Sequence, residues 1–426
     1  MSLLFYAWGE PAFLLVMLFS ILVNYLLSFQ IAKGKKSIFV LSIGFNLSLL
    51  FVFKYADFLI ESANFVLEKI GIRLPAANIP LPIGISFFTF QIMSYMIDLY
   101  KKEVPLQRSV SKLALYISLF PQLIAGPIVR YQDVEAEISS RSRNLFDLEA
   151  GALRFIVGLS KKLLLANSMG GLADQVFSAN PSELSLPVAW LGLVAYALQI
   201  YLDFSGYSDM AIGIGRILGF KFLENFNYPY FSKSITEFWR RWHISLSSWF
   251  RDYLYIPLGG SRGTQSQTFR NLFIVFFLCG LWHGARWTFV VWGLWHGLYL
   301  VIERKWGAPR NVLLAHIYTW VIFLFGWVWF RAESLPQAFQ FFSALLNVNK
   351  LHSDYLPVGQ ILNPQLIFKL GVSFIACLPL IPWLGQRWSE SFIRSAFVYG
   401  VAILILVLSL GSVATTTFDP FIYFRF

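Results

Sequence analysis

An all-α polytopic membrane protein, with about eleven transmembrane and re-entrant helices around a central cavity, is the fold class this sequence predicts. Three observations predict it. Of the 426 residues, 57% are hydrophobic and only 13% charged, whereas a soluble domain carries about 25% charged residues. The 43 Phe, 15 Trp and 19 Tyr suit lipid-facing walls and aromatic belts at both interfaces. Apolar runs near the roughly 20 residues that a bilayer demands recur along the whole chain, with short basic loops between them.

In order, these runs lie near 11–32, 38–60, 81–100, 112–128, 151–169, 187–218, 270–287, 288–304, 311–331, 364–384 and 393–413. Several are not plain spans. Pro121 with Gly126-Pro127 breaks the fourth, and Pro257 with Gly259-Gly260 ends the apolar stretch ahead of the seventh. Non-helical backbone survives at membrane depth only under a cover of protein or beside a water-filled cavity. Re-entrant or tilted elements around a cavity are therefore expected in place of a regular bundle.

The basic residues sit between the runs, as in Lys33–Lys36, Lys101-Lys102 with Arg108 and Lys112, and Lys161-Lys162. If the Lys33–Lys36 loop is cytoplasmic, the positive-inside rule puts the start of the chain outside, residues 61–80 outside and residues 101–112 inside. The net charge of +11 is thus spread over loops, and no nucleic-acid partner is expected. Cys279 and Cys377 lie in apolar runs without metal or redox spacing and read as small buried hydrophobes. Met1–Glu10 lacks both a basic region ahead of its apolar stretch and a small-residue cleavage site, so internal spans are expected to do the targeting. No internal repeat is visible, residues 345–363 read as a loop, and one membrane domain is expected over 1–426.

Two strings carry chemistry: Phe-Trp-Arg-Arg-Trp-His at Phe238–His243 and Gly-Leu-Trp-His-Gly at Gly280–Gly284. Histidine or arginine at membrane depth costs on the order of several kcal/mol unless paired or beside water, so such residues default to a functional reading. A second Trp-His-Gly places His296 thirteen residues after His283. On one continuous helix they would lie roughly 20 Å and about 220° apart, so both cannot face one reaction centre. His283, flanked by glycines that permit close packing, is the candidate general base for a hydroxyl. A hydrogen-bonded structural histidine is the alternative. His296, between Gly293 and Gly297, reads as part of a small-residue packing face.

The stretch Glu237–Leu258 mixes aromatics with Arg240, Arg241 and Arg251. One reading is an interfacial amphipathic helix. The other has these arginines, with Trp242, at a cytoplasmic mouth that attracts the phosphates of an acyl carrier such as coenzyme A. Asp203, Tyr207 and Asp209 put two carboxylates in an apolar span, paired with arginines or lining a cavity. No metal-ligand spacing accompanies them, and no metal is expected. The Gly-x-Ser-x-Gly string at Gly259–Gly263 lacks the strand and helix of a nucleophile elbow, and the glycines at 213–219 have the wrong spacing for a dinucleotide loop.

With these residues in place, the chain resembles the membrane-bound O-acyltransferases, in particular the bacterial branch of alginate and peptidoglycan O-acetyltransferases. The resemblance rests on an ordered set: LPIGISFFTFQIMSYMIDLY at 81–100, FPQLIAGPIVRY at 120–131, YLDFSGYSDMAIGIGRILGF at 201–220, the block at 234–263, GLWHG at 280–284 and FIYFRF at 421–426. It implies a bowl of helices around a central funnel, entered from each face and meeting at an essential histidine. By motif position that residue is His283, and His243 matches a second catalytic histidine. It further implies a multi-pass protein of the inner or plasma membrane. No bound cofactor is implied, and acetyl-CoA is the acyl-donor substrate. The acetyl group passes to hydroxyls of an extracellular or cell-wall polysaccharide, with an extracytoplasmic partner protein. D-alanyl transfer to teichoic acid from a carrier-protein thioester is the other enzymatic reading, and a transporter using the same cavity is the reading from a different class. Relatives of this type carry a further hydrophobic segment ahead of the stretch matching Leu4–Trp8, inside which this sequence begins. That departure concerns the outer wall, not the centre.

Overall fold

The computed structural model describes residues 1–352, 355–380 and 392–415, and every regular element among them is helical. Five helices are long and apolar enough to cross a membrane: Phe13–Ile31, Lys36–Ile70, Leu186–Ile217, Val312–Arg331 and Ser395–Ala414. The other expected runs are helical but shorter, broken or more polar, so eleven regular spans are not seen. The run at 112–128 divides into Val110–Ser118 and Phe120–Leu123, with Pro121 in the first turn of the second piece, where its missing N–H costs nothing. The run at 38–60 continues through a π-helical turn at Phe51–Tyr55 as far as Ile70. Pro364–Ala376 covers the start of the tenth run, while its end and the 421–426 string lie outside the described residues.

The chain comprises two compact units. One is Met1–Gly151 with Ile214–Leu223, and the other is Ala152–Gly213 with the chain from Glu224 onward. In the first, the helices Pro11–Ile31 and Lys36–Leu50 are fastened by a closed set of side-chain hydrogen bonds. Asn24 Nδ2 donates to Asn46 Oδ1 (3.1 Å), while Asn46 Nδ2 (2.8 Å) and Ser42 Oγ (2.9 Å) both donate to Asn24 Oδ1. All three residues are fully buried. Between apolar helices, such bonds supply attraction that lipid-like side chains cannot.

The second unit is organised by the helix pair Gln265–His283 and Trp287–Trp306. Glycines let the two backbones touch. A Cβ on Gly280 would stand 2.3 Å from the Phe289 carbonyl oxygen, and one on Gly293 would stand 2.1 Å from that of Phe276. Glu303, near the end of the second helix, accepts from Thr236 N (2.8 Å), Thr236 Oγ1 (2.7 Å) and Ile235 N. A buried carboxylate thereby caps the short helix Ile235–Arg241, its charge meeting the positive end of the helix. This cap fixes the string Phe238–His243 against the helix that follows His283.

Candidate active site

His283 is the last residue of its helix, and the chain turns over Gly284–Arg286 before the next helix starts at Trp287. Gly284 and Arg286 are both extended, with φ of −164° and −145°, so the continuous helix assumed above does not exist. The two Trp-His sites nevertheless stay apart. Trp292 separates them, its ring centre 4.9 Å from that of His283 and 5.1 Å from that of His296. His283 also packs edge-on against Phe330 at 5.2 Å. His296 lies among Phe238, Trp239 and Trp292, fully buried, and neither of its ring nitrogens has a hydrogen-bond partner among the described residues.

His243 joins the helices Ile235–Arg241 and Ile244–Phe250 in a left-handed conformation, φ 41° and ψ 55°. A non-glycine residue held there costs of order 1–3 kcal/mol. That conformation turns the imidazole inward, where it is fully buried. Its ring centre lies 4.7 Å from Phe204, 5.9 Å from Trp282 and 6.4 Å from His283. The structure thus brings His243 and His283 together, forty residues apart in sequence. Outside the spanning segments, burial pushes the His243 imidazole down to about 3, so the ring is neutral.

The four expected donor-binding residues divide. Arg240 and Arg251 line a cavity of about 410 Å³ together with Trp239, Phe250, Phe276 and Cys279. Arg251 is mostly exposed and pairs with Asp252 at 2.6 Å. Arg241 is turned elsewhere, bound to Glu237 at 2.7 Å and to the Asn227 carbonyl oxygen at 3.3 Å. Trp242 is buried in an aromatic stack with Phe226, Phe238 and Trp327 and does not line that cavity.

A second cavity, of about 790 Å³, is lined by Arg154, Lys161, Asp209, Glu224, Asn225 and Tyr228, with an aliphatic wall that includes Val372 and Ile405. Asp209 is held by Arg154 (2.9 Å) and Lys161 (2.7 Å), and Asp203 by Lys162 (2.9 Å). The carboxylates of that span are therefore paired, with lysines as well as arginine, and Asp209 lines a cavity. Ile244, next to His243, lines both cavities. Asn225, which sequence reasoning missed, bonds directly to His243 (3.1 Å). Its one signal is the turn-forming string Glu-Asn-Phe-Asn-Tyr-Pro, a place where polar side chains satisfy backbone groups.

Two buried imidazoles thus lie near one another, and Ile244 beside one of them lines a cavity edged by arginines, in a membrane protein whose described elements are all helical. The chain belongs to the membrane-bound O-acyltransferase family, whose model matches residues 99–333. It is 38% identical to the probable alginate O-acetylase AlgI of Azotobacter vinelandii over 466 aligned positions, covering 100% of this chain and 93% of the relative. It is 42% identical to the protein of the same name from Pseudomonas aeruginosa, over 86% of this chain and 74% of the relative. With the peptidoglycan O-acetyltransferase of Helicobacter pylori it shares 35% identity over 82% of this chain and 73% of the relative. It is an O-acyltransferase of the membrane.

Proposed function

We propose that this enzyme moves an acetyl group from acetyl-CoA, through the cell membrane, to hydroxyls of an extracellular or cell-wall polysaccharide, with an extracytoplasmic protein completing delivery. The observation that carries this reading is the His243–His283 pair, with ring centres 6.4 Å apart, next to two cavities that share Ile244. The relatives supply the acceptor class, since by name they act on alginate and peptidoglycan.

The 410 Å³ cavity is toward the small end of ligand sites. It suits a thioester arm, with the nucleotide left at the mouth near Arg240 and Arg251. His283 takes the proton of the acceptor hydroxyl as its oxygen bonds to the thioester carbonyl carbon. The C–S bond then breaks, and the leaving thiolate recovers that proton from the imidazolium. Such a base supplies roughly 10²–10⁴ in rate.

Proteoliposomes given radiolabelled acetyl-CoA, polysaccharide and the partner test this directly. Label in the polysaccharide is expected. Label transferred only from a D-alanyl carrier-protein thioester would replace acetylation with the D-alanyl reading. Uptake of solute without transfer would replace both with a transporter.

A further inference from the structure

His243 has two chemically distinct nitrogens, and which one carries hydrogen decides what the ring can do. The answer is legible from its neighbours. Asn225 is fully buried and held at three points besides the histidine. Its backbone carbonyl accepts from Ile244 N (2.9 Å), its Nδ2 donates to Ser208 Oγ (3.0 Å), and its Oδ1 accepts from Ser245 N (3.2 Å) and Ser245 Oγ (2.9 Å). A backbone N–H can only donate, so the Asn225 atom it meets must be the carbonyl oxygen. That oxygen can only accept. His243 Nδ1 lies 3.1 Å from it and 3.4 Å from Ser245 Oγ, whose own hydrogen goes to Asn225 Oδ1 at 2.9 Å, so Nδ1 must bear the hydrogen. In the neutral ring Nε2 then holds the lone pair, and Nε2 is a buried atom with no hydrogen-bond partner among the described residues.

An unfilled buried acceptor costs about 1–3 kcal/mol, and the left-handed backbone at His243 adds a further cost. Substrate is what can fill that acceptor. The ring centres of His243 and His283 are 6.4 Å apart, too far for a direct N–H···N bond. No described residue donates to His243 Nε2, so a molecule that enters can.

We infer that Asn225 is a positioning residue that locks His243 as the Nδ1–H tautomer, so that an unprotonated Nε2 faces the reacting groups and accepts a hydrogen bond from a donor of the bound substrates other than the hydroxyl whose proton His283 takes. This rests on the acyl-transfer reading for what the nitrogen meets, but not for the tautomer itself. Asn225 acts through the histidine and not on substrate.

The test is nitrogen NMR of the full-length protein, labelled with ¹⁵N-histidine, in lipid nanodiscs, with the His243 signals assigned by their loss in His243→Gln. The wild type should show protonated Nδ1 and unprotonated Nε2. Asn225→Leu, close in size but unable to accept, should lose that preference and lower kcat by about 10–100-fold with KM for acetyl-CoA unchanged. Asn225→Asp, which keeps the acceptor oxygen, should keep the tautomer and stay within about tenfold of wild-type kcat. An Nε2–H ring in the wild type overturns the inference, as does an Asn225→Leu protein with the same tautomer and kcat. If Asn225→Leu does not fold, the wild-type spectrum and Asn225→Asp still decide. An Nδ1–H tautomer in a protein that does not turn over acetyl-CoA would sink the proposed function and leave this inference standing.

Discussion

The asparagine cluster of the first unit and the histidine cluster of the second are built from the same material and treated in opposite ways. Both bury polar side chains among helices. Around Asn24, Ser42 and Asn46 the side chains satisfy one another, each oxygen and amide within 2.8–3.1 Å of a partner. Around His243 and His296, nitrogens have no hydrogen-bond partner among the described residues, and neither do the indole nitrogens of Trp239 and Trp292. A closed polar cluster fastens helices. An open one carries a desolvation cost that packing does not return, and under the proposed function part of it receives the reacting molecules.

The largest effect should come from the open cluster. His283→Gln is expected to lower acetyl transfer by at least about 100-fold, with the melting temperature in detergent within a few degrees of wild type. Turnover near the wild-type rate would remove His283 as the base and leave His243, which the Asn225 bond already orients, to take the proton.

Asn24→Leu should do the reverse. It removes the acceptor of the Ser42 hydroxyl and the donor to Asn46 Oδ1, while the Asn46 amide keeps its bond to the Ser42 carbonyl oxygen (2.8 Å), and membrane hydrogen bonds of this kind contribute about 0.6–1.7 kcal/mol. Stability is expected to fall by about 1–2 kcal/mol in a thermal or denaturant titration, with kcat per folded molecule unchanged. Loss of kcat without loss of stability would show that a closed cluster can also serve the chemistry, and the contrast between the regions would fail.

Next in size is the effect of the donor arginines. Arg240→Gln should raise KM for acetyl-CoA several-fold and leave kcat nearly unchanged, because contacts remote from the reacting carbon act as uniform binding. With an acetyl-pantetheine donor, which lacks the nucleotide phosphates, the effect should vanish. Arg241→Gln should not change KM, since Arg241 is engaged with Glu237 and the Asn227 carbonyl. Equal KM shifts for both variants, on both donors, would assign the pair to folding.

The two clusters also differ in how far they could be read in advance. Long apolar runs announce helices by length alone, and Leu186–Ile217 and Val312–Arg331 fall within a residue or two of their expected bounds. Trp-His-Gly between glycines announces buried histidines, and His283 and His296 are both buried. What stayed hidden depends on contacts between distant residues. The turn at Gly284–Arg286 falls just ahead of the boundary expected between the runs 270–287 and 288–304, and it leaves His283 at a helix end. Arg241 and Trp242 sit in the same string as Arg240, yet helical spacing pairs Arg241 with Glu237, and the extended backbone of Trp242 past the helix end puts its ring in the aromatic cluster. Asn225 carries no periodicity at all, and its role exists only because backbone bonds, Ile244 N to Asn225 O and Asn227 N to Arg241 O (2.9 Å), bring residues 225–227 beside 241–244.

His296 is where the contrast can be tested most finely, because it is open by hydrogen-bond count yet far from the reacting pair by contact. Neither nitrogen has a partner among the described residues. Its ring lies parallel to Phe238 at 6.2 Å and edge-on to Trp239 at 5.2 Å, and Gly326 makes room for Nε2, which would be 2.9 Å from a Cβ there. The ring fills space as an aromatic would. Replacing an unsatisfied polar group by an apolar one of similar size is close to neutral, so His296→Leu should shift stability by no more than about 1 kcal/mol and keep kcat within about threefold. His296→Ala, which leaves a void, should lose about 2–4 kcal/mol with the same kcat per folded molecule. Thermal melts and single-turnover rates of the two variants separate the outcomes. If His296→Leu is stable but loses most of its rate, Trp292 is passing a positional demand between the two histidines, and the open cluster extends one residue further than His243 and His283.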